Sequence, residues 1–284
     1  MNKALAFGSI IKRPYTTLEL ARMSGIPPEE FFDFIKIFEE KTNSAKEERG
    51  FFSYAHEIQI YKTRRRQDNI RDEMFMSLQK IIHIFSFIPF IRGVWISGSL
   101  AVGNVREDSD IDILVATEEG RLYTTRFLII GLMKILGKKR NGNTPKETHQ
   151  KLCFNHFVDT KHLKLQESSN AYLEIAYKNF IPVYGERETI EQFKKQNTEW
   201  AGNYINARNR LYVNKKQNMW ERVFSGTLGK TIEFILKKIQ IRHTKKISKS
   251  LQNQIASRVI CEDGEVETQY NISKTKDILE LLTF

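Results

Sequence analysis

Between Gly98 and Val115 the chain reads GSLAVGNVREDSDIDILV, a Gly-Ser pair followed by an Asp-x-Asp pair, Asp110 and Asp112, set in an apolar run. The alternation from Ser109 to Val115 is that of a strand edge entering a core, and residues two apart on a strand point to the same side. Both carboxylates therefore share one face. Two ionised carboxylates so placed repel each other, and the arrangement is stable with a cation between them or with one pKa raised. Hard oxygen ligands suit Mg²⁺ (or Mn²⁺), which keeps several waters and takes further oxygens from phosphates, so a protein ligand set as sparse as Asp110 and Asp112 is sufficient. Paired ions roughly 3.5–4 Å apart can clamp the attacking and leaving oxygens of an in-line phosphoryl displacement.

Upstream, Ile91 to Ser97 reads as a short strand ending in Gly98-Ser99, after which Leu100-Ala101-Val102 begins a helical turn. Gly98 lets backbone approach a ligand closely. A helix start exposes unpaired N–H groups and a partial positive charge, a seat for a triphosphate, and Ser99 can cap the turn or donate to a phosphate oxygen. Ser109, beside the Asp pair, is a further nucleotide-facing candidate. The bland alternative is a strand, a turn and a strand on which the two aspartates are merely solvated.

This stretch resembles the nucleotidyltransferase superfamily typified by DNA polymerase β, kanamycin nucleotidyltransferase, CCA-adding enzymes and the cyclic-dinucleotide synthases. The resemblance implies that Asp110 and Asp112 hold metal and that Gly98 and Ser99 contact a nucleoside triphosphate. A wider resemblance, running from the N-terminal helices through KLCFNHFVDTKHLKL (151–165) and IPVYGE (181–186), is to bacterial nucleotidyltransferase-domain proteins whose substrate is open. The superfamily has a third carboxylate on a later strand, and the matching strand here is Lys151 to Asp159. Period-two reading puts Cys153, Asn155, Phe157 and Asp159 on one face, with Leu152, Phe154, His156 and Val158 on the other. Asn155 stands mid-strand, where the family residue is expected, but is neutral. Asp159 has the charge but stands at the strand end, where a turn-forming Asp is common. An Asn carbonyl can ligate Mg²⁺ and cannot accept a proton, so the third catalytic position is open between Asn155 and Asp159. His156 is a possible base, with a satisfied core histidine as the alternative.

The chain has 284 residues, 40% of them hydrophobic and 11% aromatic, enough to fill the cores of two or three small domains. No stretch approaches the roughly 18–20 uninterrupted apolar residues of a membrane span, and Phe127 to Leu136 is interrupted by Lys134. No signal-peptide pattern opens the chain, and its two cysteines, Cys153 and Cys261, form neither a disulfide framework nor a zinc pattern, which fits a reducing cytoplasm. The net charge of +11 favours polyanionic partners. The charge gathers at Lys62, Arg64, Arg65 and Arg66, at Lys138, Lys139 and Arg140, and at Lys237, Lys238, Arg242, Lys245, Lys246 and Lys249. These clusters are either solvated helix faces or the walls of a nucleic-acid channel.

The organisation reads as α+β in three parts. Residues 1–60 form a helix-turn-helix or winged-helix-like module: a helix from Leu18 to Met23 capped by Thr16-Thr17, a turn at Ser24 to Pro28, a second helix from Glu29 to Lys41, and a wing at Phe51 to Tyr54. Glu29, Glu30, Asp33, Glu39 and Glu40 on the second helix oppose DNA phosphates, so this module is read as a protein-contact or structural element. Residues 61–165 form the nucleotidyltransferase core on a small mixed sheet. It is entered by a helix from Thr63 to Phe87 with Ile70, Met74, Leu78, Ile81, Ile82 and Phe85 as its stripe, and it includes a crossover helix from Arg121 to Leu136. Residues 166–284 are expected to be mainly helical and to select the acceptor. Helices are expected at 170–179, 187–196, 220–241 and 275–282, the third with Phe224, Leu228, Ile232, Ile235 and Ile239 in register, and Glu262 to Glu265 reads as a hairpin tip. Tyr172, Tyr177 and Trp200 either stack on bases or pack in the core.

The sequence thus predicts a metal-dependent enzyme that moves NMP or dNMP from a nucleoside triphosphate to an acceptor hydroxyl. Nucleic-acid 3′ ends, growing oligonucleotides and second nucleotides, as in antiphage signalling, are the acceptors the charge favours. The alternatives are a toxin-type enzyme that modifies protein, with the N-terminal module engaging a target or antitoxin, and a catalytically silent nucleic-acid-binding protein that keeps the fold.

Overall fold

A computed structural model of the chain describes residues 2–33, 36, 45–54, 59–140, 149–165, 179–201, 212–216, 218–251 and 258–269. The segment Gly98–Val115 does what its alternation dictates. β4 (Ile91–Ile96) leads into the short helix α4 (Gly98–Val102), and β5 (Ile111–Thr117) returns antiparallel to β4, pairing Ile96 with Ile113. Helix α5 (Leu122–Ile135) then carries the chain to β6 (Leu152–Asp159), which lies parallel to β5. This mixed sheet is the α+β core that the sequence predicts.

The boundary expected at residue 165 does not interrupt the sheet. β7 (Ile181–Gly185), β8 (Val213–Asn214), β9 (Arg258–Glu262) and β10 (Glu265–Gln269) extend it to seven strands in the order β8-β7-β4-β5-β6-β10-β9. The expected hairpin tip is the turn between β9 and β10, with Gly264 at φ +87°. Apolar residues fill both faces. On one, Ile111, Ile113, Val115, Leu152, Phe154 and Phe157 pack with α3 (Ile60–Ile81) and α5. On the other, Trp95, Leu114, Ala116 and Val158 pack with Phe193 of α6 (Arg187–Ala201). The stripe expected on the long entry helix is the buried side of α3 and of the 3-10 segment Ile82–Phe87 that ends it before Pro89. Among the described residues no helix is long and apolar enough to cross a membrane.

The N-terminal module contains α1 (Asn2–Ile10), which the sequence reading does not anticipate, and a small sheet of β1 (Tyr15–Thr16), β2 (Ala45–Glu48) and β3 (Phe51–Tyr54) in the order β1-β3-β2. Between β1 and β2 lies α2 (Thr17–Met23). It opens on a capping box: Thr16 Oγ1 accepts from Glu19 N at 3.2 Å and Glu19 Oε2 accepts from Thr16 N at 2.9 Å. It closes on Gly25 at φ +73°, with Gly25 N donating to Arg22 O and Ile26 N to Ala21 O, a Schellman stop. Pro28–Glu30 is a 3-10 turn, and most of the second helix expected from Glu29 to Lys41 lies outside the described residues. Arg64, expected on a solvated helix face or on the wall of a channel, is buried instead. Its guanidinium holds both oxygens of Glu19 at 2.7 and 2.9 Å, Asp68 at 2.8 Å and the Pro14 carbonyl, fastening the module to α3. Burial opposes ionisation of Glu19, but Arg64 and Arg13 outweigh it and hold the carboxyl below its usual range.

The expected helix from Trp220 to Ile241 is two helices, α7 (Met219–Ser225) and α8 (Thr227–Leu251), and α8 is turned away from its apolar stripe. Leu228, Ile235 and Ile239 are at least half exposed, whereas Glu233 is buried. Its carboxylate accepts from Tyr123 N (2.9 Å), Thr124 N (2.7 Å) and Thr124 Oγ1 (2.6 Å), so a side chain of α8 satisfies the orphan donors at the start of α5. Three charge-assisted bonds at a helix N-terminus decide the docking face against the greasier alternative. The expected helix at 187–196 is contained in α6, which includes Trp200; Tyr172, Tyr177 and the closing helix at 275–282 lie outside the described residues.

Candidate active site

Asp112 is the second residue of β5, between Ile111 and Ile113, both fully buried on the opposite face. Asp110 stands in the loop immediately before the strand. The end of β4 is fixed against them, because Ser97 N donates to the Asp112 carbonyl at 2.9 Å. Gly98 follows at φ +61°, and a Cβ there would lie 2.1 Å from Asp112 Oδ2. Both the left-handed backbone and the close approach penalise a side chain at Gly98, which would have to displace the Asp112 carboxylate. Ser99, half-buried, lies in the first turn of α4, whose far end is held by the N-terminal module: Arg13 Nη1 donates to Gly103 O at 2.5 Å. Ser109 shapes the loop that delivers Asp110. Its Oγ accepts from Arg106 N at 2.9 Å and its carbonyl from Gln150 N at 3.2 Å.

Ligand atoms of Asp110, Asp112 and Cys153 all lie within 4.8 Å of one another. Cys153 is the residue of β6 in register with Asp112 across the parallel pair, and its thiol hydrogen-bonds Asp112. Arg140 Nη1 donates to Asp110 Oδ2 at 2.6 Å and lies 3.9 Å from Cys153 Sγ. Burial, with Asp110 beside it, pushes the Asp112 carboxyl up to about 8. Burial and the two carboxylates likewise push the Cys153 thiol well above its usual value. Like-charge repulsion is thus relieved in both of the ways open to it, by a neighbouring cation and by a raised pKa. Two carboxylates and a thiol gathered this closely around a guanidinium are a donor set that fits a divalent cation.

Of the two residues expected at the third position, the structure brings one to the pair. Asn155 Nδ2 donates to Asp112 Oδ1 at 3.0 Å. Asp159 is in register with Thr117, five residues further along the sheet than the Asp112–Cys153 pair, or roughly 16 Å away at strand rise. There it is a turn residue: Oδ1 accepts from Lys161 N (3.0 Å), His162 N (3.2 Å) and His162 Nδ1 (2.7 Å). The strict alternation expected along β6 also fails. The register slips between Phe154 and His156, so Asn155 is the extra residue of a β-bulge. Downstream of it the faces exchange: Phe157 joins Leu152 and Phe154, and Val158 crosses to the side of Leu114. His156 is enclosed, 3% exposed, with Nε2 2.9 Å from Glu265 Oε1 and Nδ1 3.9 Å from Glu267 Oε1 of β10. It is a satisfied core histidine and not positioned as a base.

Sequence reasoning missed two members of this site. Cys153 appears in the sequence as one of four residues on a face, and Arg140 as one of a basic cluster. The register that sets Cys153 opposite Asp112 is the signal that separates it, and register is visible only once β5 and β6 are paired. Beside the site a cleft of about 700 Å³ is lined by Arg66, Arg106, Glu107, Asp108 and His149.

This geometry lies in a nucleotidyltransferase domain of the polymerase β type, whose chemistry is nucleotidyl transfer. Residues 79–168, about a third of the chain, match the family described as "Polymerase beta, Nucleotidyltransferase", and the match contains Gly98, Asp110, Asp112, Cys153 and Asn155. No curated protein matches the chain.

Proposed function

We propose that this enzyme moves a nucleoside monophosphate from an NTP or dNTP to an acceptor hydroxyl, releasing pyrophosphate, and that the acceptor is a nucleic-acid 3′ end, a growing oligonucleotide or a second nucleotide. The observation that carries this reading is the packing of Gly98 on Asp112, which sets a turn able to meet phosphates against the carboxylate pair. Asp110 and Asp112 would hold Mg²⁺ or Mn²⁺, which supplies neutralisation of the phosphates and polarisation of the reacting phosphorus. Gly98 and Ser99 present backbone and hydroxyl to the triphosphate, and Ser109 braces the loop that bears Asp110. Asn155, donating to Asp112 Oδ1, orients that carboxylate. Arg140, already on Asp110, is within reach of an incoming polyphosphate. Exposed Lys62 and Arg65, next to a cleft whose own arginines Arg66 and Arg106 pair with Glu107 and Asp108, support a polyanionic acceptor over a small neutral one.

The test is incubation of the full chain with Mg²⁺ or Mn²⁺ and each labelled NTP and dNTP, alone and with RNA, DNA or lysate protein. Incorporation into RNA or DNA, or pyrophosphate release without added acceptor, is the expected result. Asp110→Asn and Asp112→Asn should each reduce it by at least about 10³-fold while the circular dichroism spectrum is kept. Label appearing only on a protein band would replace the acceptor assignment with protein modification. Absence of transfer under every condition, with salt-sensitive nucleic-acid binding retained, would overturn the activity.

A further inference from the structure

The third position of the Asp110–Asp112 site is filled from β6 by two residues of different chemistry. Asn155, on the bulge, reaches Asp112 as a hydrogen-bond donor. Cys153, in register with Asp112, brings its Sγ within 4.8 Å of a carboxylate oxygen of each aspartate. A cation already sits in the gap. One nitrogen of the Arg140 guanidinium is 2.6 Å from Asp110 and 3.9 Å from Cys153, so the space bounded by these donors accepts positive charge. We propose, building on the metal-dependent reading above, that the Cys153 thiolate is the third protein ligand of the metal and that it selects Mn²⁺ and more thiophilic divalent ions over Mg²⁺.

Mg²⁺ takes hard oxygen donors and binds sulfur poorly, whereas the later first-row ions and their heavier congeners accept mixed oxygen and sulfur sets. A thiol that ligates a divalent cation gives up its proton to do so, and the negative charge it then carries supplies what Asp159, at the far end of β6, does not bring to the pair. Asn155 cannot do this, being neutral, and its amide N–H is directed at Asp112. Arg140 is the counter-charge on Asp110, and a metal held by the pair would take over that role.

The experiment uses the full-length chain and metals alone, without nucleotide. Titration with Cd²⁺ should raise a thiolate-to-metal charge-transfer band in the wild type and in Cys261→Ser, and none in Cys153→Ser. Mn²⁺ binding, read by electron paramagnetic resonance, should weaken by about tenfold or more in Cys153→Ser. Cys153→Asp should instead shift the preference toward Mg²⁺, which gives a gain to measure if the serine variant packs poorly. Persistence of the Cd²⁺ band in Cys153→Ser, or Mn²⁺ affinity unchanged there while Asp112→Asn abolishes it, would overturn the thiolate assignment and leave the metal site standing. Mn²⁺ affinity unchanged in Asp110→Asn and Asp112→Asn as well would overturn both.

Discussion

β5 and β6 lie side by side and parallel at the centre of one sheet, and they carry the site in different ways. β5 keeps a strict period of two: Ile111, Ile113 and Val115 enter one core while Asp112, Leu114 and Ala116 face the other side. Its carboxylate is held by buried neighbours on either side and by the Ser97–Asp112 backbone bond. β6 breaks its period at Asn155, and the bulge places Asn155 and His156 on the same side in succession. One goes to Asp112 and the other to the glutamates of β10. A regular strand fixes a side chain by burying its neighbours, and a bulge aims one side chain by giving up a ladder bond. The two strands together therefore build a pair whose geometry is rigid beside a third position whose chemistry can vary.

The largest effect that bears on this contrast is expected at Gly98. In Gly98→Ala the new Cβ must displace Asp112 Oδ2, and the left-handed backbone adds about 1–2 kcal/mol of strain. A shift of about 1 Å in a metal-binding carboxylate costs on the order of 10²-fold in rate, so transfer should fall by at least that factor while the fold is retained. Single-turnover incorporation and a urea titration on the same preparation measure the two effects. Transfer within a few-fold of wild type would show that the rigid half of the site is not where the chemistry is set.

A smaller effect concerns pH. Burial, with Asp110 beside it, disfavours the charged form of Asp112 and pushes its carboxyl up from the ordinary carboxylate range to about 8. The folded state therefore holds a proton that the unfolded state releases. The stability that this proton contributes is fully present below the unfolded value and is lost as pH rises toward 8. With metal removed by chelator, the wild type should lose more in Tm between pH 5 and pH 8 than Asp112→Asn does. Parallel pH profiles for the two proteins would mean that Asp112 is not shielded by its neighbours in the way the packing indicates.

Much of β5 is legible in the sequence, since a strand whose period is unbroken states both its faces. The Gly-Ser turn, the shared face of Asp110 and Asp112, and the hairpin at Gly264 are read from local chemistry alone. Arg64 is not: its neighbours Lys62, Arg65 and Arg66 are exposed, and only the tertiary approach of Glu19 and Asp68 draws it inward. Nor is the face of α8, where Leu228, Ile235 and Ile239 make the better stripe and Glu233 wins by capping α5. The bulge at Asn155 likewise depends on how β6 meets β5 and β10. In each of these places a polar contact between distant segments outweighs a regular apolar period, and no local pattern announces it.

The smallest effect is expected at Asp159, and it is the one that separates the two candidates for the third position. Its Oδ1 accepts three bonds within the turn that follows β6, and the Asp110–Asp112 pair lies at the other end of that strand. Asp159→Ala should cost about 1–2 kcal/mol of stability, through unpaired N–H groups in that turn. It should leave the transfer rate of the folded fraction unchanged. Asn155→Ala should do the reverse, leaving stability nearly constant and lowering the rate as Asp112 loses the bond that orients it. Denaturant midpoints and transfer rates of both variants decide the matter: a folded Asp159→Ala protein without activity, beside an active Asn155→Ala protein, would move the third position to the end of β6 and require that strand to bend back toward the pair.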